Sequence, residues 1–225
     1  MSISPRINPF KLLVCSSLLA SFSVVSFAQQ GAGASTPSNG NKDNYANAMP
    51  SRTLKAGDTT FIGNFQSDQV TGKVSGNGRV EWANGDVYVG AMKNGIKQGR
   101  GSFTWASGQR YEGDWVNDQA IGQGVIRFAN GNQYQGAIKA GEPHGQGRMI
   151  FETTKDTYDG DFSHGDPEGE GVYTWRNGDV YKGGWRNGKK HGKGRFTWAS
   201  GDYWEGEFVN DTQSNDGKMT WASKK

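Results

Sequence analysis

Glu112 with Asp114, Asp159 with Asp161, and Glu205 with Glu207 are pairs of carboxylates two residues apart, each just after an aromatic residue. On an extended strand, residues i and i+2 share a side at roughly 7 Å, a separation at which two carboxyl groups could divide the acid and base roles of glycoside hydrolysis. Only some of the comparable segments described below carry such a pair, and a solvated strand face needs charge in any case. The pairs therefore read as surface. The three histidines, His144, His164 and His191, fall in loops. His144 and His191 occupy equivalent places two repeats apart, which is about 20 Å along a sheet, so no metal site is expected. Glycine pairs such as Gly99-Arg100-Gly101 and Gly122-Gln123-Gly124 precede strands and lack a third glycine, whereas a phosphate-binding loop opens a helix. They read as backbone turns. Asn210-Asp211-Thr212 fits the glycosylation triplet, which matters only in a eukaryotic secretory pathway. No catalytic, cofactor-binding or metal-ligating residue is assigned, and the chain reads as a non-enzyme.

The elements that would have to position such groups are strands. Of 225 residues, 33% are hydrophobic and 35 are Gly. Each Gly costs a helix roughly 0.5–1 kcal/mol relative to Ala, and so low an apolar content cannot fill a thick α/β core. The formal charge is +3, and Arg6 and Lys11 belong to an N-terminal stretch without Asp or Glu, so the remainder is close to neutral. Nucleic acid is not an expected partner.

Residues 1–28 read as an export signal. Arg6 and Lys11 precede an apolar, serine-broken stretch from Leu12 to Phe27, and Ser26-Phe27-Ala28 fits a small-x-small cleavage site. A retained anchor is the alternative, disfavoured because the stretch is short for a spanning helix. The placement expected is the periplasm or cell envelope if the source is bacterial, and secretion otherwise. Cys15, the single cysteine, follows Val14, where a lipid-attachment signal wants Gly or Ala. Cleavage would leave no cysteine for a disulfide or a thiolate metal site. Residues 29–60 read as a flexible polar linker, in which Tyr45 is an isolated aromatic.

From residue 61 to 225 the chain repeats. Segments beginning at Tyr88, Tyr111, Tyr134, Tyr158, Tyr181 and Trp204 follow one another every 23 or 24 residues, and a divergent copy starts at Phe61. Each unit runs aromatic-x-Gly-x-apolar, a polar loop, Gly-x-Gly, then alternating apolar residues ending in an aromatic. In Tyr111-Glu112-Gly113-Asp114-Trp115 the period is two, the mark of a half-buried strand. Asn84-Gly85, Ser107-Gly108, Asn130-Gly131, Asn177-Gly178 and Ser200-Gly201 fall between units, where tight turns favour Gly. The spacing predicts seven β-hairpins joined by tight turns.

Four columns hold nearly all the aromatics. Phe61, Tyr88, Tyr111, Tyr134, Tyr158, Tyr181 and Trp204 form one, and Trp82, Trp105, Phe128, Phe151, Trp175, Trp198 and Trp221 a second. The third is Phe65, Met92, Trp115, Ile138, Phe162, Trp185 and Phe208, and the fourth Val80, Phe103, Ile126, Met149, Tyr173, Phe196 and Met219. All four are expected to line one face of the sheet. The recurrent glycines then avoid rings from adjacent strands.

Tyr181-Lys182-Gly183-Gly184-Trp185-Arg186-Asn187-Gly188-Lys189-Lys190-His191-Gly192-Lys193-Gly194-Arg195-Phe196-Thr197-Trp198 is very similar to the consensus of the MORN repeat (membrane occupation and recognition nexus), and the resemblance spans about Phe61 to Trp221. It implies an all-β fold: an elongated, single antiparallel sheet, shaped as a half-pipe, of seven stacked hairpins.

Such an array offers an extended surface rather than a pocket. The expected function is an exported, non-catalytic binding or scaffolding module. Trp82, Trp105, Trp115, Trp175, Trp185 and Trp198 form its candidate binding face for a protein, peptide or glycan. The alternative, which the resemblance has traditionally implied, is attachment to anionic phospholipid. Arg186, Lys189, Lys190, Lys193 and Arg195 form the candidate anionic-ligand patch, diluted by Glu168, Glu170, Glu205 and Glu207. The unpaired last strand near Trp221 also points to a homodimer through the C-terminal repeat, with Lys218, Lys224 and Lys225 placed to protect a monomer instead.

Overall fold

The computed structural model describes residues 52–223. The export signal, most of the linker with Tyr45, and Lys224 and Lys225 lie outside the described residues. Strands β1 (Arg52–Ala56), β2 (Thr59–Ser67), β3 (Val74–Glu81), β4 (Val87–Lys93) and β5 (Ile96–Thr104) begin the order. They are followed by β6 (Arg110–Val116), β7 (Gln119–Arg127), β8 (Gln133–Lys139), β9 (Glu142–Ile150), β10 (Thr157–Ser163) and β11 (Asp166–Thr174). The last are β12 (Val180–Arg186), β13 (Lys189–Thr197), β14 (Tyr203–Val209), β15 (Thr212–Gln213) and β16 (Lys218–Thr220). Each pairs antiparallel with its neighbour in chain order, except that β15 and β16 both pair with β14 as two pieces of one edge. The sheet is single and open. No helix among the described residues is long and apolar enough to cross a membrane.

The first strand alters the reading of the linker. Residues 52–56, placed there by composition, form β1, with Leu54 opposite Phe61 and packed on the core. Five residues with one bulky apolar side chain carry little signal alone, and the strand exists because Phe61 supplies the contact.

Each hairpin closes differently from a generic polar loop. In the second, Asn94 and Gly95 form a two-residue turn with φ of 53° and 81°, the geometry whose twist matches that of the flanking strands. Gly90 then faces Gly101 while Ala91 faces Gln98, so Gly99 and Arg100 are extra residues in a bulge. The same slip recurs in the next four hairpins. The two members of Gly-x-Gly therefore do different work. Gly99, at φ 66°, makes the bulge. Gly101 lies under the Tyr88 ring, where a Cβ would sit 2.6 Å from the phenol oxygen.

The expectation that glycines avoid rings from adjacent strands holds for Gly101, which faces Tyr88 of β4, and is corrected for Gly90, which meets the same ring from its own strand. Tyr88 lies along its own strand, covers both Gly90 and Gly101, and donates its hydroxyl to the Ala91 carbonyl at 2.9 Å. Tyr111, Tyr134, Tyr158 and Tyr181 make the same bond three residues ahead. One tyrosine thus roofs the two glycines of its own hairpin. The core is one ring thick, with Tyr88 edge-on to Trp115 at 5.6 Å and Tyr158 edge-on to Trp185 at 5.1 Å. Each buried ring contributes about 1.5–3 kcal/mol of burial, and such edge contacts about 0.5–1.5 kcal/mol more.

Candidate binding face

The six candidate tryptophans do not share one environment. Trp115 and Trp185 are core, 1% and 6% exposed, and their indole N–H groups donate to the carbonyls of Gly101 and Gly171. Rings of the preceding repeat, Tyr88 and Phe103 for Trp115 and Tyr158 and Tyr173 for Trp185, pack on them, so they are not available to a partner. Trp82, Trp105, Trp175 and Trp198 are only partly buried, packed against the core from the strand ends beside the inter-repeat turns. Phe128 is partly buried in the same row, and Phe151 is buried. Trp175 meets Tyr173 at 4.5 Å and Phe196 at 5.2 Å, and Trp105 meets Phe103 at 4.7 Å, so the accessible rings are held rigidly. The candidate face narrows to one aromatic row, its rings about 10 Å apart, the width of two strands.

The basic cluster is dispersed. Lys190 points to the aromatic side, where its ammonium lies 5.5 Å from the Trp175 ring, 5.8 Å from Tyr181 and 3.6 Å from Asp211. Burial, partly countered by Asp211, holds its pKa below the usual lysine value. Arg195 is on the opposite, polar face, bonded through Nε and Nη2 to Glu205 and stacked on Tyr203 at 4.3 Å. Lys193 lies across from Glu207 on that face. Arg186 and Lys189 flank the tight turn at the sheet edge. Residues close in sequence are parted here because a strand sends alternate side chains to opposite faces. Around Lys193 and Arg195 a shallow depression of about 720 Å³ is lined by Glu170, Lys182, Glu205, Glu207 and Asp216 as well, and carries both signs of charge.

The carboxylate pairs are engaged locally: Glu112 with Arg110, Asp159 with Arg148, Glu205 with Arg195, and Asp161 with the side chain of Gln146 and the backbone N–H of Glu170. His144 and His164, in neighbouring repeats, meet with ring centroids 6.0 Å apart. Among the described residues, no group of three or more His, Asp and Glu side chains is placed to hold a metal ion. Burial pushes the phenols of Tyr88, Tyr111 and Tyr134 up to about 12. Tyr158 and Tyr181 are raised as well, by burial first and then by nearby carboxylates.

Two sets of residues escaped the reading of the sequence. Lys97 holds the place in its repeat that Lys190 holds four repeats later, with its ammonium 5.3–5.9 Å from the rings of Trp82, Phe103 and Trp115. The second set is a row of acceptors along the inter-repeat turns. Asp86 accepts the N–H of Ala106, Asn132 that of Glu152, Asp156 that of Arg176, Asp179 that of Ala199 and Asp202 that of Ala222, each bond spanning 20 residues. The recurrence of Asp or Asn two residues before the aromatic was the available signal.

The profile of the MORN repeat matches residues 88–110, 111–133, 134–153, 158–180, 181–203 and 204–224. Among solved structures, the TCP domain of Drosophila melanogaster SAS-4 in complex with a proline-rich motif of Ana2 is similar at 10% identity, over 76% of this chain and 85% of that one, with a TM-score of 0.37. The TCP10 domain of Danio rerio CPAP is similar at 12% identity, over 76% and 83%, with a TM-score of 0.40. No curated protein matches the chain.

Proposed function

This chain belongs to the MORN-repeat family, and on that premise we propose that it is an exported, non-catalytic binding or scaffolding module whose partner, a protein, peptide or glycan, docks along the row of Trp82, Trp105, Trp175 and Trp198. The observation that carries the reading is the split in the aromatic face: the tyrosine and inner tryptophan columns are consumed as core, and this one row stays partly open. Rigid, half-exposed aromatics supply contact area at little entropic cost, which is why tryptophan anchors so many interfaces. The polar face, with carboxylates paired to arginines, offers no comparable anchor.

Phospholipid attachment is the weaker reading. Lys190 is turned into rings, Arg195 is neutralised by Glu205 and Lys193 lies across from Glu207, which leaves chiefly Arg186 and Lys189, beside one turn, to meet an anionic surface.

A photo-crosslinking residue at Ala106 or Ala199, beside the row, tests the proposal against one at Glu112 on the polar face. Adducts in the envelope fraction from the first two sites and none from the third are expected. Adducts from Glu112 alone would overturn the reading. Pelleting with anionic liposomes that weakens with salt would favour phospholipid instead.

A further inference from the structure

The repeats are braced at both sheet edges, and the bracing is uneven. On the turn edge, the Asp/Asn row holds the mouths of the hairpins β4–β5, β8–β9, β10–β11 and β12–β13 and the pair β14–β16. Two hairpins have no such bond. In the terminal first hairpin Thr59 stands where the acceptor would be, and in the third, β6–β7, Gln109 does. The Gln109 side chain is one methylene longer than asparagine and does not reach the next turn as Asn132 does.

On the opposite edge, a backbone N–H of each tight turn donates to a carbonyl of the preceding repeat. Most of these contacts are doubled. Asn94 N–H also donates to Ser75, Lys97 N–H to Asp118, Asn187 N–H to Glu168 and Lys190 N–H to Asp211, and between β9 and β10 His144 meets His164. Between β7 and β8 stands one bond, from Gly141 N–H to the Ala120 carbonyl at 3.0 Å. Ala140 occupies the turn place held elsewhere by Asn94, Asn117 or Asn187, and Ala120 the place of Lys97 and Lys190. The lightest pairing on each edge thus adjoins the same strand. Ile138 also puts an aliphatic side chain between the aromatic Trp115 and Phe162 of its column, and Ile126 follows Phe103 in its own.

We infer that β7 is the hinge of the array, the strand at which the sheet flexes and first opens. In a linear repeat protein each unit is held only by its neighbours, so the least-braced interface opens before the rest. Trp82 and Trp105 lie on one side of β7, Trp175 and Trp198 on the other. A flexure there re-aims two tryptophan pairs against each other and fits one binding row to partners of different curvature. Such a hinge is a property of the free chain and exists without any partner.

Native-state hydrogen exchange on the full chain decides it. The amides of the β6–β7 and β7–β8 ladders should exchange faster than those of β10–β11 and β11–β12. Gln109→Asp supplies the missing acceptor for Ala129 N–H and should slow exchange in β6–β7 by roughly fivefold, the effect of one hydrogen bond, with β11 unchanged. Asp179→Gln should carry the weakness to β12–β13, speeding exchange there by a similar factor. Equal protection of β7 and β11 in the parent protein would overturn the hinge, as would indifference of exchange to both substitutions.

Discussion

The Lys97 ammonium lies 2.8 Å from Asp118 Oδ1, with its side chain only 9% exposed, and the Lys97 backbone N–H donates to the same carboxylate oxygen at 2.9 Å. Asp118 sits in the tight turn of the next repeat, so this pair joins two hairpins, and Lys190 with Asp211 repeats the arrangement near the far end. A cation buried among rings is stable only while its counter-charge stays in place. Asp118→Ala should therefore cost about 2–3 kcal/mol, less than a fully buried pair because Asp118 remains partly open to water, whereas Lys97→Met should fall within about 1 kcal/mol of the parent. Urea denaturation of both variants checks the asymmetry. A Lys97→Met loss equal to that of Asp118→Ala would show that the charge itself holds the junction.

The tyrosine column predicts alkaline sensitivity. Tyr88, Tyr111 and Tyr134 have folded-state values raised to about 12, against 10.0 for the free phenol. The unfolded chain loses these protons first, so the stability they contribute is whole below pH 10 and declines as pH rises from 10 to 12. Tyr158 and Tyr181 act in the same sense. Lys190 opposes them, since its lowered value makes its contribution improve with pH up to 10.5, but it is one group against five. Circular dichroism and phenolate absorbance should change together in that window. Reversible ionisation near pH 10 with the sheet intact would contradict the buried geometry.

Two glycines two residues apart should respond unequally to alanine. A Cβ at Gly101 collides with the Tyr88 ring and hydroxyl, while one at Gly99 meets nothing within 4 Å and only strains a φ of 66°. Gly101→Ala should cost about 3 kcal/mol and Gly99→Ala about 1 kcal/mol, by thermal or urea unfolding.

Position along the array should scale the loss of a tryptophan. Trp175 contacts Tyr173, Phe196 and the Lys190 ammonium, whereas Trp221 is 72% exposed. Trp175→Ala is expected to cost about 3 kcal/mol and Trp221→Ala under about 0.5 kcal/mol. Equal losses would argue against a linear array.

Association is expected at the C-terminal end. Strand directions alternate through the sheet, so the edges β1 and β16 run the same way. Head-to-tail joining would pair them in parallel, whereas antiparallel extension of the sheet about a two-fold axis joins like edges, β16 to β16 or β1 to β1, and the expected contact is through β16. The proposal is a homodimer through the last repeat, read by light scattering after gel filtration. Deleting residues 210–225 should give a monomer with the earlier repeats folded, and a monomeric parent at micromolar concentration would refute the dimer.

The repeat spacing, the strands and the shared face of the residues in each period-two stretch were legible in the sequence, because period two and a 23-residue recurrence are properties of the chain itself: Tyr111, Gly113 and Trp115 cannot share a strand and point apart. The sequence did not separate Trp115 from Trp105, since both are tryptophans at fixed places in a unit. Burial distinguishes them, because it depends on which rings of the neighbouring hairpins close over each. The same holds for Lys190 and Lys193. Three residues apart in one basic run, they stand on opposite faces, one caged by Trp175 and the other beside Glu207, because the bulge and the pleat together set which side each faces. The brace from Asp86 to Ala106 and its lapse at Gln109 likewise belong to the tertiary structure, because a turn learns what it can bond only when stacking brings the next turn, 20 residues on, alongside it.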